Sequence, residues 1–330
     1  MIHKADAPEP APAGRTDYRP VGADAKLSAL GTLKRTVQEF GEDNMTVWAA
    51  ALTYYGLLAL FPALLALVSI IGLVGDPVST TKNLTEIVTE LGPKSAADTL
   101  AGPIRSITSN RGGAGIAFFA GLVLALWSAS GYIGAFMQAA NVIYETPEGR
   151  PIWKRRPLQL LLTLGMVVLT ALVAVSLVLT GPIVKAVAAP LGLSDTAVRV
   201  WGIAKWPVLV LVVLTLISLL YYATPNVKMK QRGFRWVTVG ALLAVAVWLV
   251  ASAAFAFYVA NFGSYNKTYG TLGGLIALLV WLWLTNIALL LGLELNSERE
   301  RGIELAEGVP GAEQEIQLEP RSEPKPRRTT

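Results

Sequence analysis

Residues 45–75, MTVWAAALTYYGLLALFPALLALVSIIGLVG, run for 31 positions without a charged side chain. A helix rises about 1.5 Å per residue, so this run is longer than a straight crossing of a bilayer core of roughly 30 Å. Uncharged apolar runs of this length mark membrane-spanning helices. Pro62 removes a helical N–H and crowds the preceding turn, which predicts a kink in the Thr53–Pro62 stretch. Thr53 and Tyr54 stand just before the break. They read either as part of a built site or as packing groups around a bent helix.

Five further runs are nearly charge-free: 114–137, 158–180, about 206–223, 236–260 and 272–293. They are continuously apolar and do not alternate, which favours helices over a barrel. The expected architecture is all-α: a polytopic membrane bundle of six transmembrane helices with a kinked first span and amphipathic surface helices. Composition agrees. Only 15% of the 330 residues are charged and the mean hydropathy is +0.49, whereas soluble domains carry about 25% charge. There is no cysteine, which rules out disulfides and thiolate chemistry.

The membrane domain is expected over 26–297. Residues 1–25 are rich in Ala, Pro and charge and read as a disordered tail without a signal-peptide core, and 298–330 as a short helical extension followed by disorder. Leu27, Leu30, Leu33, Val37 and Phe40 recur at helical spacing with Lys34, Arg35, Gln38 and Glu39 between them. That is an amphipathic helix, suited to the membrane interface or to the ends of the bundle. Asp43 or Asn44 follows as a candidate cap for the first span. Two short surface helices are expected within 76–113, separated at Gly92–Pro93.

Six spans would put both termini on one side. Twenty Lys and Arg then fall in the two tails and in loops 138–157 and 224–235, against eight on the opposite face. The excess of basic residues marks the cytoplasmic side, so both termini are predicted to be cytoplasmic in a bacterial inner membrane.

AAALTYYGLLALFP (49–62), AANVIYE (139–145), SYNKTYGTLGG (264–274) and WLWLTNIALLLGLELN (281–296), with Asp43, together resemble the YihY/virulence factor BrkB family of bacterial membrane proteins. The resemblance covers about 26–300. It implies an integral inner-membrane protein with six helices. Members have also carried the name ribonuclease BN, and one branch is linked to resistance to serum killing. GLELN at 292–296 departs from the family's GAELN at Leu293.

Phosphodiester hydrolysis needs a positioned acid and base or metal-activated water. The one histidine is His3, in the N-terminal tail, and the acidic residues show no metal-ligand spacing. No nucleotide or phosphate-binding fingerprint is present. We therefore expect no enzyme, no cofactor, no metal and no nucleic-acid partner. The expected partners are the lipid bilayer and an unidentified small solute or lipid. Polar residues at membrane depth cost free energy unless partnered, so they face the bundle interior. Thr53, Tyr54, Pro62, Asn141, Asn266, Lys267, Tyr269, Gly270, Asn286 and Glu294 form the candidate polar path. Asn286 lies inside the last span, and Glu294 closes it as a solvated carboxylate facing Arg235 or a neighbouring base. Gly270 and the glycines after it admit an irregular entry to that span. The same residues also fit plain interhelical hydrogen bonding and a tight external hairpin. Two functions follow: a transporter or permease-like protein, or a non-transporting envelope scaffold that binds a partner.

Overall fold

A computed structural model describes residues 28–74, 111–178, 195–229, 237–261 and 271–323. The N-terminal tail, the expected surface helices of 76–113, Arg235, and Asn266, Lys267, Tyr269 and Gly270 lie outside the described residues. Helix α1 spans Ala29–Glu42, α2 Met45–Val74, α3 Arg111–Ile143, α4 Ile152–Val178, α5 Asp195–Ala223, α6 Val239–Asn261 and α7 Thr271–Ala306. Element α2 runs as one helix across position 62.

The six long helices neighbour one another in chain order, and α7 closes the ring against α2 while also touching α3. Elements consecutive in the chain are usually neighbours in space. Helix α1 lies across the ends of α2 and α7. The outside of the ring is apolar and open: Leu161 on α4, Ile203 on α5, and Leu249, Val250 and Phe257 on α6 are all exposed. Exposed apolar surface on this scale is tolerated when lipid, not water, is the solvent. Among the described residues three stretches are long and apolar enough to cross a membrane: Gly202–Ala223, Val239–Val259 and Gly273–Ala306. The protein is an all-α polytopic membrane bundle.

Several of the long helices extend beyond their apolar runs. The largest differences are in α5, which begins at Asp195, and in α7, which continues to Ala306. At 36 residues, α7 is about 54 Å long, well beyond a bilayer core. Its last third stands clear of the apolar zone and carries Glu294, Ser297, Glu298, Arg301 and Glu304 on one face, all of them buried.

What buries that face is α1 together with the residues that follow α7, where a short helical extension and then disorder were expected. Beyond Ala306 the chain turns at Gly308 and Gly311, both at positive φ, and comes back across the bundle end. Ala312, Ile316 and Leu318 are buried, Val227 and Pro320 form an antiparallel bridge, and Arg321 donates to the carbonyls of Val227 and Tyr222. Composition alone predicts disorder for such a polar segment. Here the backbone polar groups find partners on the bundle, which satisfies them without a core of their own. We refer to residues 307–323 as the strap.

Candidate functional site

Two polar layers lie inside the ring. The first stands about 12 Å into α2, since Thr53 follows Met45 by eight residues. The Tyr132 hydroxyl on α3 donates to Asn286 Oδ1 on α7 at 2.7 Å, and Asn286 Nδ2 donates to Thr53 Oγ1 on α2 at 3.1 Å. Thr53 in turn donates to the Ala49 carbonyl. Three helices are thus joined through one buried amide whose oxygen and nitrogen are both used. Tyr132 was not visible as a partner from sequence, because a lone Tyr in GYIGAFM looks like packing.

The second layer is at the end covered by α1 and the strap, about 12 Å further along α7, since Glu294 follows Asn286 by eight residues. Buried apolar side chains, including Leu52, Phe136 and Leu290, lie between the layers. Arg301 is the hub of this end. Its guanidinium, 2% exposed, donates to Glu39 on α1, to Glu298 one turn back, and to the carbonyls of Ala312, Glu313 and Gln314 in the strap. Arg35 on α1 adds a 2.9 Å pair with Glu298. The face of α1 turned inward is therefore polar, with Thr36 fully buried, while Leu30, Leu33 and Val37 are exposed.

Asp43 and Asn44 join α1 to α2. Asp43 ends α1, and Asn44 sits in the left-handed region at φ 54, a conformation that Asn tolerates. The Asp43 carboxyl is pushed up to about 6, first by burial and then by the charges of Glu145, Glu39 and Glu42. Glu145 holds the left-handed position that ends α3, at φ 50, where the Thr146 N–H reaches back to Asn141. Its carboxylate accepts the Ile316 N–H of the strap, and burial pushes its pKa up against that bond.

The polar path read from sequence is divided by this geometry. Tyr54 is 58% exposed and points out of the ring, edge-on to Tyr55, so it is not part of an interior path. Helical spacing explains this: only one face of α2 turns inward, and Thr53 occupies it. Asn141 belongs to a separate joint. It accepts the Asn226 N–H and donates to Glu148, which Arg150 grips while also donating to the Ala223 and Thr224 carbonyls at the end of α5. Those bonds hold Glu148 below the usual carboxylate range, although burial works against them. Glu294 is 1% exposed and not solvated, and its Oε2 has no hydrogen-bond partner. The side chain at Pro62 and the residues 266–270 lie outside what is described.

Helices α6 and α7 meet at Gly240 and Gly292. A Cβ on Gly292 would come within 2.6 Å of the Tyr221 hydroxyl and 2.8 Å of Ala244 Cβ, and would overlap the Gly240 carbonyl. The Gly240 N–H also donates to Asn296 Oδ1 at 2.9 Å. Further along, Trp248 donates to Thr285 and Trp281 to Ser252.

A closed helical ring with an apolar exterior and two interior polar layers defines an integral membrane protein of multi-pass type. The chain belongs to the virulence factor BrkB family, whose model matches residues 36–316. It is 34% identical over 250 residues to the ribonuclease-like protein YfkH of Bacillus subtilis, covering 76% of this chain and 88% of that one. It is also similar to UPF0761 membrane proteins of Aliivibrio salmonicida, at 26% identity over 79% of this chain and 80% of that one, and of Aeromonas salmonicida, at 28% over 77% and 84%. No solved structure matches.

Proposed function

We propose that this chain is a transporter- or permease-like protein of the bacterial inner membrane, acting on a small solute, ion or lipid. It would cross six times with both termini cytoplasmic, and would not act as an enzyme. The observation that carries this reading is the Thr53–Tyr132–Asn286 layer. Interhelical hydrogen bonds in membranes average around 0.6 kcal/mol, so stability gives only a weak reason to place an amide at that depth. Polar groups that face a bundle interior mark solute and ion pathways. The ribonuclease-like name of the Bacillus relative is not extended to this chain.

The test is flux of a panel of ions and small solutes into proteoliposomes that hold the full chain. Asn286→Leu is expected to insert and elute as the wild type does, and to lose flux by at least tenfold. Thr53→Ala is expected to lower it less, since Tyr132 still holds the amide. Undiminished flux in both variants would remove the polar layer from the path. Absence of any flux in the wild type would favour the scaffold reading.

A further inference from the structure

The immediate surroundings of Glu294 hold more carboxyl groups than cations. Around Glu294 stand Glu298 on its own helix, Glu39 on α1, Asp43 at the α1–α2 joint and Glu145 at the end of α3. The guanidiniums among them are Arg301 and Arg35, and both are committed: Arg301 to Glu39 and Glu298, Arg35 to Glu298 and Glu39. Glu145 is held by the Ile316 N–H. Asp43 is half-buried and reaches the surface. Glu294 is what remains. It is buried, its Oε2 has no partner, and the charged groups that act on it most strongly are acidic. The Tyr144 hydroxyl, also buried and unpartnered, lies within electrostatic reach of it.

An ionised carboxylate in such a place would have no uncommitted cation beside it and one oxygen without a hydrogen bond, a costly way to bury a charge. Binding a proton removes the charge. A divalent ion would do the same only with converging ligands, and among the described residues no three acidic, His or Cys side chains are grouped to hold a metal.

We propose that Glu294 is a proton-binding site, with Asp43 as the carboxylate through which its proton is exchanged with water at the end covered by α1 and the strap. Proton transfer is the whole of the chemistry: the Glu294 carboxyl gives up its O–H proton and becomes a carboxylate, and the Asp43 carboxylate takes a proton and passes it to water. The position fits this role. Asp43 is the carboxyl whose charge acts most strongly on Glu294, and it is half-buried where Glu294 is fully buried. Glu294 stands one polar layer away from Asn286 on the same helix. The proposal rests on this local geometry and does not require transport.

The experiment is infrared difference spectroscopy of the full chain in nanodiscs, titrated in pH. At pH 7 the wild type is expected to show the C=O stretch of a protonated carboxyl. That band should shift with ¹³C-glutamate labelling and not with ¹³C-aspartate labelling, which assigns it without any variant. Glu294→Gln, whose amide mimics the protonated acid, should fold normally and lack the band. Asp43→Asn removes a neighbouring negative charge, so the band should persist at pH 7 and disappear at lower pH than in the wild type. No glutamic-acid band at pH 7, or one that Glu294→Gln leaves in place, would overturn the assignment. A band abolished by millimolar Mg²⁺ at constant pH would overturn it in favour of a metal site. A confirmed band without flux would leave the proton site standing and remove the transport reading.

Discussion

Arg301→Met is expected to destabilise the protein by about 3–5 kcal/mol, the usual cost of removing one partner from a buried ion pair. Methionine matches the volume, so the loss is one of charge and hydrogen bonds and not of packing. Two carboxylates, Glu39 and Glu298, lose their shared cation, and three strap carbonyls lose their donors. Arg35 still reaches Glu298, which limits the damage on that side. The strap should come free before the ring opens, because its contacts to Arg301 and Glu304 precede those to Asn226 and Val227 in the chain. Hydrogen exchange in detergent should therefore show lost protection over residues 312–317 with α3 and α7 still protected. Arg301→Lys should recover only part of the stability, since an ammonium is a point donor and cannot span five acceptors as a planar fork does. Unchanged protection over 312–317 in Arg301→Met would mean that the strap is held by its other contacts alone.

Gly292→Val should be among the most damaging changes inside the ring. The new side chain would meet the Gly240 backbone, the Tyr221 hydroxyl and Ala244 at once. Two of these are backbone or small groups on a neighbouring helix, so relief requires α6 and α7 to move apart. Overpacking costs about 1–3 kcal/mol, and a clash with backbone belongs at the upper end of that range. Separation of the helices would also break the Gly240–Asn296 and Tyr221–Leu289 hydrogen bonds. Close approach of backbones at small residues is the common means of helix association in membranes. Gly165→Val provides the control: on α4 a Cβ meets nothing within 4 Å. The expected result is a lowered melting temperature and reduced yield for the first variant and near wild-type behaviour for the second. Equal stability of the two would contradict the tight crossing.

The helices were legible in the sequence because lipid imposes a simple code. A charge-free run of about twenty residues has few alternatives, and helices α2 to α7 each contain one of the six runs in whole or in large part. Asn286 was legible for the same reason, as an amide with nowhere to go but inward. Its partner Tyr132 was not, because a hydroxyl on an aromatic ring carries no periodic signal. Tyr54 was misplaced because adjacency to Thr53 suggested a shared site, whereas adjacent helical residues point about 100° apart. The largest gap was at the end covered by α1 and the strap. Glu294, Glu298, Arg301 and Glu304 recur at spacings of four, three and three, the pattern of one helical face. On a soluble helix that stripe would be solvated. Here it is the buried one, matched by the polar face of α1 and the strap. Only tertiary partners far away in sequence reveal that inversion, and composition points the other way.

The absence of native cysteine makes topology the most direct measurement. The strap, Arg301 and Glu294 all lie at the end that α1 covers, and the proposed function places that end in the cytoplasm. Single substitutions Thr16→Cys, Gln231→Cys and Thr329→Cys should react with a membrane-impermeant maleimide only after the inner membrane is opened. Ser95→Cys, Ser194→Cys and Ser264→Cys should react in intact spheroplasts. That pattern is the one six crossings produce. Labelling of position 16 or 329 from outside, or protection of position 264, would contradict both the number of crossings and the assignment of Glu294 and the strap to the cytoplasmic side.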